Sequence, residues 1–96
     1  GVEFEGVESH SALGGIWDPT NPLSSVYEGL HMVTSRYTSY LGPPMPDEYE
    51  DYPDQSAALD YLRGIAEREN LTSRIRFSTR FETAEKTPNG TWRAKL

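Results

Sequence analysis

A chain of 96 residues with seven prolines, eight glycines and no cysteine has room for one small domain and none for a disulfide staple or a thiolate metal site. Its mean hydropathy is −0.68, and it shows no apolar run long enough to span a bilayer and no basic-plus-apolar leader, so the expected compartment is cytoplasmic. A formal net charge of −6 argues against a nucleic-acid partner, although the charge is uneven: residues 47–60 hold six acids and no base, whereas residues 61–96 hold eight bases and four acids.

The first predicted element is a strand. Val2, Phe4 and Gly6 alternate with Glu3, Glu5 and Val7, the pattern of a half-buried β-strand that ends at Glu8. Turn formers dominate residues 9–30 (Ser9, Ser11, Gly14, Gly15, Pro19, Asn21, Pro22), which read as an irregular loop with a short helical turn near Ser25 to Leu30. Residues 33–52 read as a second irregular stretch, studded with Tyr37, Tyr40, Pro43, Pro44, Pro46, Tyr49 and Tyr52. Two long structureless loops in so short a chain are unusual for a free-standing domain, and such loops commonly lie against a ligand or another part of a protein.

A helix is predicted from Gln55 to Glu69. Asp54 follows Pro53 as its N-cap, and its carboxylate suits the positive end of the helix dipole. Ala58, Leu59, Leu62, Ile65 and Ala66 make one apolar stripe, with Arg63 and Arg68 on or beside the polar side. Gly64 is a weak point, and Asn70 is a suitable stop. Ile75 and Phe77 then alternate with Arg76 and Ser78, and Phe81, Thr83 and Glu85 extend that strand or begin another. Asn89-Gly90 is a strong hairpin signal, with Trp92 to Leu96 as the return strand. Both ends look cut from a longer polypeptide.

The stretch with most chemical content is Gly14-Gly15-Ile16-Trp17, with Glu8 six residues before its first glycine. An acid at the tip of a strand accepts hydrogen bonds from both hydroxyls of an adenosine ribose, and a glycine pair lets backbone approach a ligand where a Cβ would clash. This layout is half of a dinucleotide site; the phosphate-cradling G-x-G-x-x-G is not among these residues. The plainer readings are an exposed strand-end acid, a Gly-Gly turn and a tryptophan that only fills core. His10 and His31 stand twenty-one residues apart, a spacing that fits no metal motif. Asp47, Glu48, Glu50 and Asp51 lack the glycine and ligand spacing of an EF-hand and read as a solvated acidic loop. The basic last third could contact that acidic stretch or an anionic ligand; a solvated mixed surface is the plainer alternative.

Taken in order, Val7-Glu8, Gly14-Gly15-Ile16-Trp17, Ser25-Val26-Tyr27-Glu28-Gly29-Leu30, Thr34-Ser35-Arg36, Pro44-Met45-Pro46, Asp51-Tyr52-Pro53, Tyr61-Leu62 and Ile75-Arg76-Phe77 resemble the N-terminal FAD-binding region of the flavin-containing monooxygenases and their Baeyer–Villiger relatives. The resemblance covers Val2 to Leu96 and lies in the shared order of pieces that are individually weak. It implies an α/β fold: a partial Rossmann-like FAD/NAD(P)-binding domain with a β-hairpin or meander and long irregular loops. Residues 1–96 would be a single partial domain of a larger flavoprotein, the remainder of which would be its partner. The implied activity is that of an FAD- and NADPH-dependent monooxygenase, which oxygenates a small-molecule substrate through a flavin peroxide; the isolated chain would be inactive. By position, Glu8 would hold the FAD ribose, Gly14, Gly15, Ile16 and Trp17 would line the flavin side, Thr34 and Ser35 would lie near the isoalloxazine and nicotinamide, and Phe81 would meet the adenine through backbone atoms. Many family members carry an asparagine just before the Thr-Ser pair, where this chain has Val33, which offers no hydrogen bond. The alternative is a non-catalytic nucleotide-binding or protein-interaction fragment.

Overall fold

The computed structural model describes residues 2–96. In chain order its elements are strand β1 (Gly6–Val7), a single 3₁₀ turn (Gly15–Trp17), helix α1 (Gln55–Arg68), a second 3₁₀ turn (Thr72–Arg74), strand β2 (Ile75–Arg76), and strands β3 (Thr83–Lys86) and β4 (Trp92–Lys95). Strands β1 and β2 pair in parallel, Gly6 opposite Ile75 and Val7 opposite Arg76, with α1 lying between them in sequence. This is a β-α-β connection of the α/β class.

The predicted first strand is mostly absent. Only Gly6 and Val7 are strand, and residues 2–5 are exposed. Alternation alone does not make a strand when no neighbour offers a ladder, and β2 is too short to pair further back. Beyond Val7 the Glu8 amide still donates to the Arg76 carbonyl at 3.0 Å, and then the second segment slips by one residue at Ser78 (φ 50°): the Thr79 amide donates to the Glu8 carbonyl at 2.9 Å and the Ser78 amide to the His10 carbonyl at 3.0 Å.

Helix α1 matches its sequence signals closely. Asp54 caps it, its carboxylate accepting from the Ala57 amide at 2.9 Å. The helix ends one residue before the predicted boundary, and Asn70 takes the left-handed conformation, φ 53°, that stops it. Ala58, Leu59, Tyr61 and Ala66 are buried, and with Met45 and Pro53 they are the buried apolar side chains among the described residues. Leu62 and Ile65 are half-buried and face an apolar cavity of about 260 Å³ that Leu13, Leu41 and Leu71 also line.

The two irregular stretches remain irregular, and α1 organises both. The expected helical turn at Ser25 to Leu30 is a hydrogen-bonded turn from Tyr27 to Leu30 without helix. An isolated antiparallel bridge between His31 and Asp54 ties it to the start of α1. The Tyr61 hydroxyl accepts from the Leu41 amide at 2.8 Å and donates to the Pro43 carbonyl at 2.6 Å, so a buried helix tyrosine staples the proline-rich loop. Tyr37, Tyr40 and Tyr52 are exposed instead.

Strands β3 and β4 form a separate antiparallel hairpin, Thr83 opposite Lys95 through Lys86 opposite Trp92. Its loop spans residues 88–90 with Gly90 at φ 87°, because Thr87 and Thr91 still pair (Thr87 amide to Thr91 carbonyl, 2.7 Å). Every residue of both strands is exposed, Trp92 at 69%. The accessible surface is 7198 Å², against about 5,500 Å² for a compact monomer of this mass. The radius of gyration is 16.1 Å, where a compact domain would have about 12.5 Å. Among the described residues no helix is long and apolar enough to cross a membrane.

One packing contact is testable at once. Gly14 has φ 137°, and a Cβ there would stand 2.4 Å from Leu59 Cδ1 and 3.0 Å from Asp18 Cβ. Gly15, at φ 55°, has nothing within 4 Å of that position. Gly14→Ala is expected to cost about 2–4 kcal/mol of stability, combining backbone strain with overpacking, and Gly15→Ala about 1–2 kcal/mol. Adding Leu59→Ala should recover part of the Gly14→Ala loss in a double-mutant cycle read by urea unfolding.

Candidate functional site

Parallel pairing decides where the chemistry lies. Two strands that run the same way end on the same edge, so Glu8 and the segment Thr79–Phe81 leave the sheet side by side. In open α/β sheets, ligands bind outside these carboxyl ends. A cleft of about 500 Å³ lies there, lined by Glu8, Ser9, Leu23, Thr79, Arg80 and Phe81 among others. The Glu8 carboxylate turns back on its own loop through one oxygen: Oε1 accepts from the His10 amide at 2.9 Å and the Ser9 hydroxyl at 3.5 Å. Among the described residues no donor reaches Oε2, which leaves that oxygen free for a ligand hydroxyl. Arg80 has no acidic partner among the described residues.

The Gly14–Trp17 stretch is a tight turn laid across α1. The Trp17 amide donates to the Gly14 carbonyl at 3.0 Å and the Asp18 amide to the Gly15 carbonyl at 3.2 Å. Three helix residues, each four apart and so on one face, fasten it. Gln55 Nε2 donates to the Trp17 carbonyl at 2.7 Å, Leu59 packs under Gly14, and Arg63 Nε donates to the Leu13 carbonyl at 2.9 Å. Gly14 is therefore required by the helix beneath it, whereas Gly15 and the 58% exposed Ile16 look outward.

The residue that anchors this turn is not one that the sequence pattern singles out. Asp18 is 1% exposed. Its Oδ1 accepts from the Thr20 amide at 2.9 Å and the Thr20 hydroxyl at 2.7 Å; Oδ2 accepts from Arg63 Nη2 at 3.0 Å and lies 3.4 Å from His10 Nε2. Arg63, expected on the polar side of the helix, is thus a loop anchor. The Asp18-Pro19-Thr20 spacing carries the one available signal, since Asp commonly bonds the backbone two residues on. The Thr20 hydroxyl, the Thr20 amide and then the positive charges of Arg63 and His10 hold the Asp18 carboxyl below its ordinary 3.8, against the opposing effect of burial.

Thr34 and Ser35 line neither the Glu8 cleft nor the apolar cavity beside Gly14. Their hydroxyls are taken up locally, Thr34 Oγ1 by Ser39 at 2.5 Å and Ser35 Oγ by Thr38 at 3.3 Å. Val33 beside them is 93% exposed. The acidic loop is held by Arg36, which lies 3.5 Å from Asp47, 4.0 Å from Asp51 and 4.2 Å from the centre of the Tyr37 ring. The basic last third pairs elsewhere, Arg76 with Glu5, Arg93 with Glu85 and Lys95 with Glu82. A second cleft, of about 360 Å³, separates the Tyr27–His31 turn from the start of α1. There His31 is raised above its ordinary 6.5, first by the Gly29 carbonyl that Nδ1 meets at 2.9 Å, then by Glu50 and Asp54.

A profile of the family described as flavin-binding monooxygenase-like matches residues 1–94. The chain belongs to that family. It is similar to flavin-containing monooxygenase 5 of Mus musculus, at 29% identity over 94 residues, covering 93% of this chain and 18% of that protein. It is similar to flavin-containing monooxygenase 1 of Canis lupus familiaris at 31% identity over 96 residues, covering 95% of this chain and 18% of the other. The N-oxide-forming dimethylaniline monooxygenase 2 of Cavia porcellus is 28% identical over 94 residues, with 93% and 18% covered. This member of the family thus spans about a fifth of the length of the curated relatives it matches.

Acid titration tests the Asp18 cluster. A folded-state pKa below 3.8 stabilises the fold above that pH, and the stabilisation is lost as pH falls through the lowered value. Unfolding midpoints measured from about pH 2 to about pH 7 should therefore fall more steeply below about pH 4 for the wild type than for Asp18→Asn. The sign is opposite for His31: its contribution is complete below 6.5 and fades as pH rises through its raised value.

Proposed function

We propose that this chain is the FAD-contacting part of an NADPH-using monooxygenase that oxygenates a small organic substrate. The observation that carries the reading is the meeting of Glu8 and Thr79–Phe81 at one parallel strand edge, around a cleft large enough for an adenosine group. In this reading the β-α-β unit is part of a Rossmann-like sheet, and the 96 residues are one partial domain of a larger protein. The exposed hairpin and the large accessible surface support that assignment, since a self-contained domain would cover them.

The residues present suit the group in part. Glu8 keeps a free carboxylate oxygen that would accept from the ribose hydroxyls, and Phe81, which lines the same cleft, would meet the adenine through its backbone. Gly15, Ile16 and Trp17 belong to a turn whose outward side would line the flavin, while Gly14 serves the packing on α1. Thr34 and Ser35 are assigned to the nicotinamide side by the family resemblance alone, since their hydroxyls are taken up by Ser39 and Thr38. When bound, the flavin would supply the redox chemistry by which NADPH and dioxygen yield an oxygenated substrate and water. The chain's own work is to bind, orient and limit water.

Equilibrium titration of FAD into the full-length protein, with NADPH consumption followed in parallel, tests this. Saturable flavin binding and NADPH oxidation are expected; a protein that does neither overturns the reading. Glu8→Gln should weaken FAD by about tenfold or more, the loss expected when a carboxylate acceptor is neutralised. The isolated 96 residues, which hold no G-x-G-x-x-G for the pyrophosphate, should show no saturable FAD binding at micromolar concentration.

A further inference from the structure

We propose that Arg63 and Asp18 act as a positioning pair, which holds the Gly14–Trp17 turn in place against the flavin side of the cofactor without touching the cofactor themselves. The inference rests on the FAD reading above and adds to it two residues of this chain. One guanidinium secures both ends of the turn, through Nε to the Leu13 carbonyl at 2.9 Å and through Nη2 to Asp18 Oδ2 at 3.0 Å. Asp18 in turn is 1% exposed and is tied by its other oxygen to Thr20, so the loop cannot slide without uncovering a buried carboxylate.

The turn needs such a device. Gly15 and Ile16 project away from the helix, with nothing within 4 Å of a Gly15 Cβ. Their position is set from behind by Gln55, Leu59 and Arg63, and from the loop by the Ser24 hydroxyl, which donates to the Ile16 carbonyl at 2.5 Å. The adenosine side is built separately, from Glu8 and the β2 exit, and its ladder hydrogen bonds to Arg76 and Thr79 do not involve Arg63. Among the described residues, the link between the two halves near the pair is His10, whose amide meets Glu8 Oε1 at 2.9 Å while its Nε2 lies 3.4 Å from Asp18. Lysine cannot replace Arg63 fully, because a single ammonium lacks the fork that reaches the Leu13 carbonyl and the Asp18 carboxylate together.

The test compares FAD with ADP, which offers only the adenosine and phosphate part, on the full-length protein. For Arg63→Met, FAD is expected to weaken by about tenfold or more while ADP changes by less than about twofold. Arg63→Lys should fall between Arg63→Met and the wild type. If Arg63→Met fails to fold, Asp18→Asn, which keeps the size and shape of the side chain, should show the same loss of FAD over ADP. A proportional loss of both ligands would mark a merely structural role and overturn the inference, as would no loss of either. A wild-type protein that binds neither ligand overturns the flavin reading and this inference with it; wild-type binding with an unchanged FAD-to-ADP ratio in the variants overturns this inference alone.

Discussion

A carboxylate that water barely reaches is the constraint around which the first two-thirds of this chain is arranged. Asp18 is 1% exposed in a protein whose apolar core, among the described residues, is only six side chains. An unpaired charge in that position would not be tolerated, so the loop must bring donors to it. Thr20 supplies two from within the loop, and Arg63 supplies the third from the helix. Satisfying Asp18 therefore docks the loop on α1, and docking the loop sets the Gly14–Trp17 turn against Gln55 and Leu59. Polar satisfaction here does the organising that a larger hydrophobic core does elsewhere.

Helix α1 is correspondingly more than a packing element. Its N-terminal end is bridged to His31, its buried Tyr61 staples the proline-rich loop, and Gln55 and Arg63 hold the glycine turn. Both long loops thus acquire fixed shapes with almost no regular structure of their own. The cost is an open body: strands β3 and β4 are exposed on both faces, and an apolar cavity of about 260 Å³ opens beside Leu62 and Ile65. These surfaces agree with a chain that matches about a fifth of each relative's length.

Signals confined to a few neighbouring residues are legible in the sequence. The Asp54 cap, the Asn70 stop and the Asn89-Gly90 hairpin each depend on local dihedral preference and nearby hydrogen bonds, and each is where the sequence puts it. The alternation from Val2 to Glu5 is misleading because it records which face is apolar and not whether a partner strand exists. Arg63 reads only as a residue on or beside the polar side because its partner stands forty-five residues away, and charge on a helix surface does not say what docks there. For the candidate site, Glu8 and the glycine pair are visible as chemistry, but Arg63 is legible only as a charge and Asp18 only as part of a turn.

The sequence by itself determined the family, one capped helix, one hairpin and the residue types suited to a nucleotide. These follow from ordered short motifs and from preferences expressed over a few residues. The tertiary structure alone decided that β1 and β2 run parallel, which brings Glu8 and Phe81 to one cleft although seventy-three residues separate them in sequence. It also decided that Gly14 is demanded by Leu59, and that the buried Asp18 carboxylate pairs with the more exposed Arg63. The physical reason is the same in each case: pairing, close approach and charge burial depend on distances across the fold, and sequence separation does not encode them.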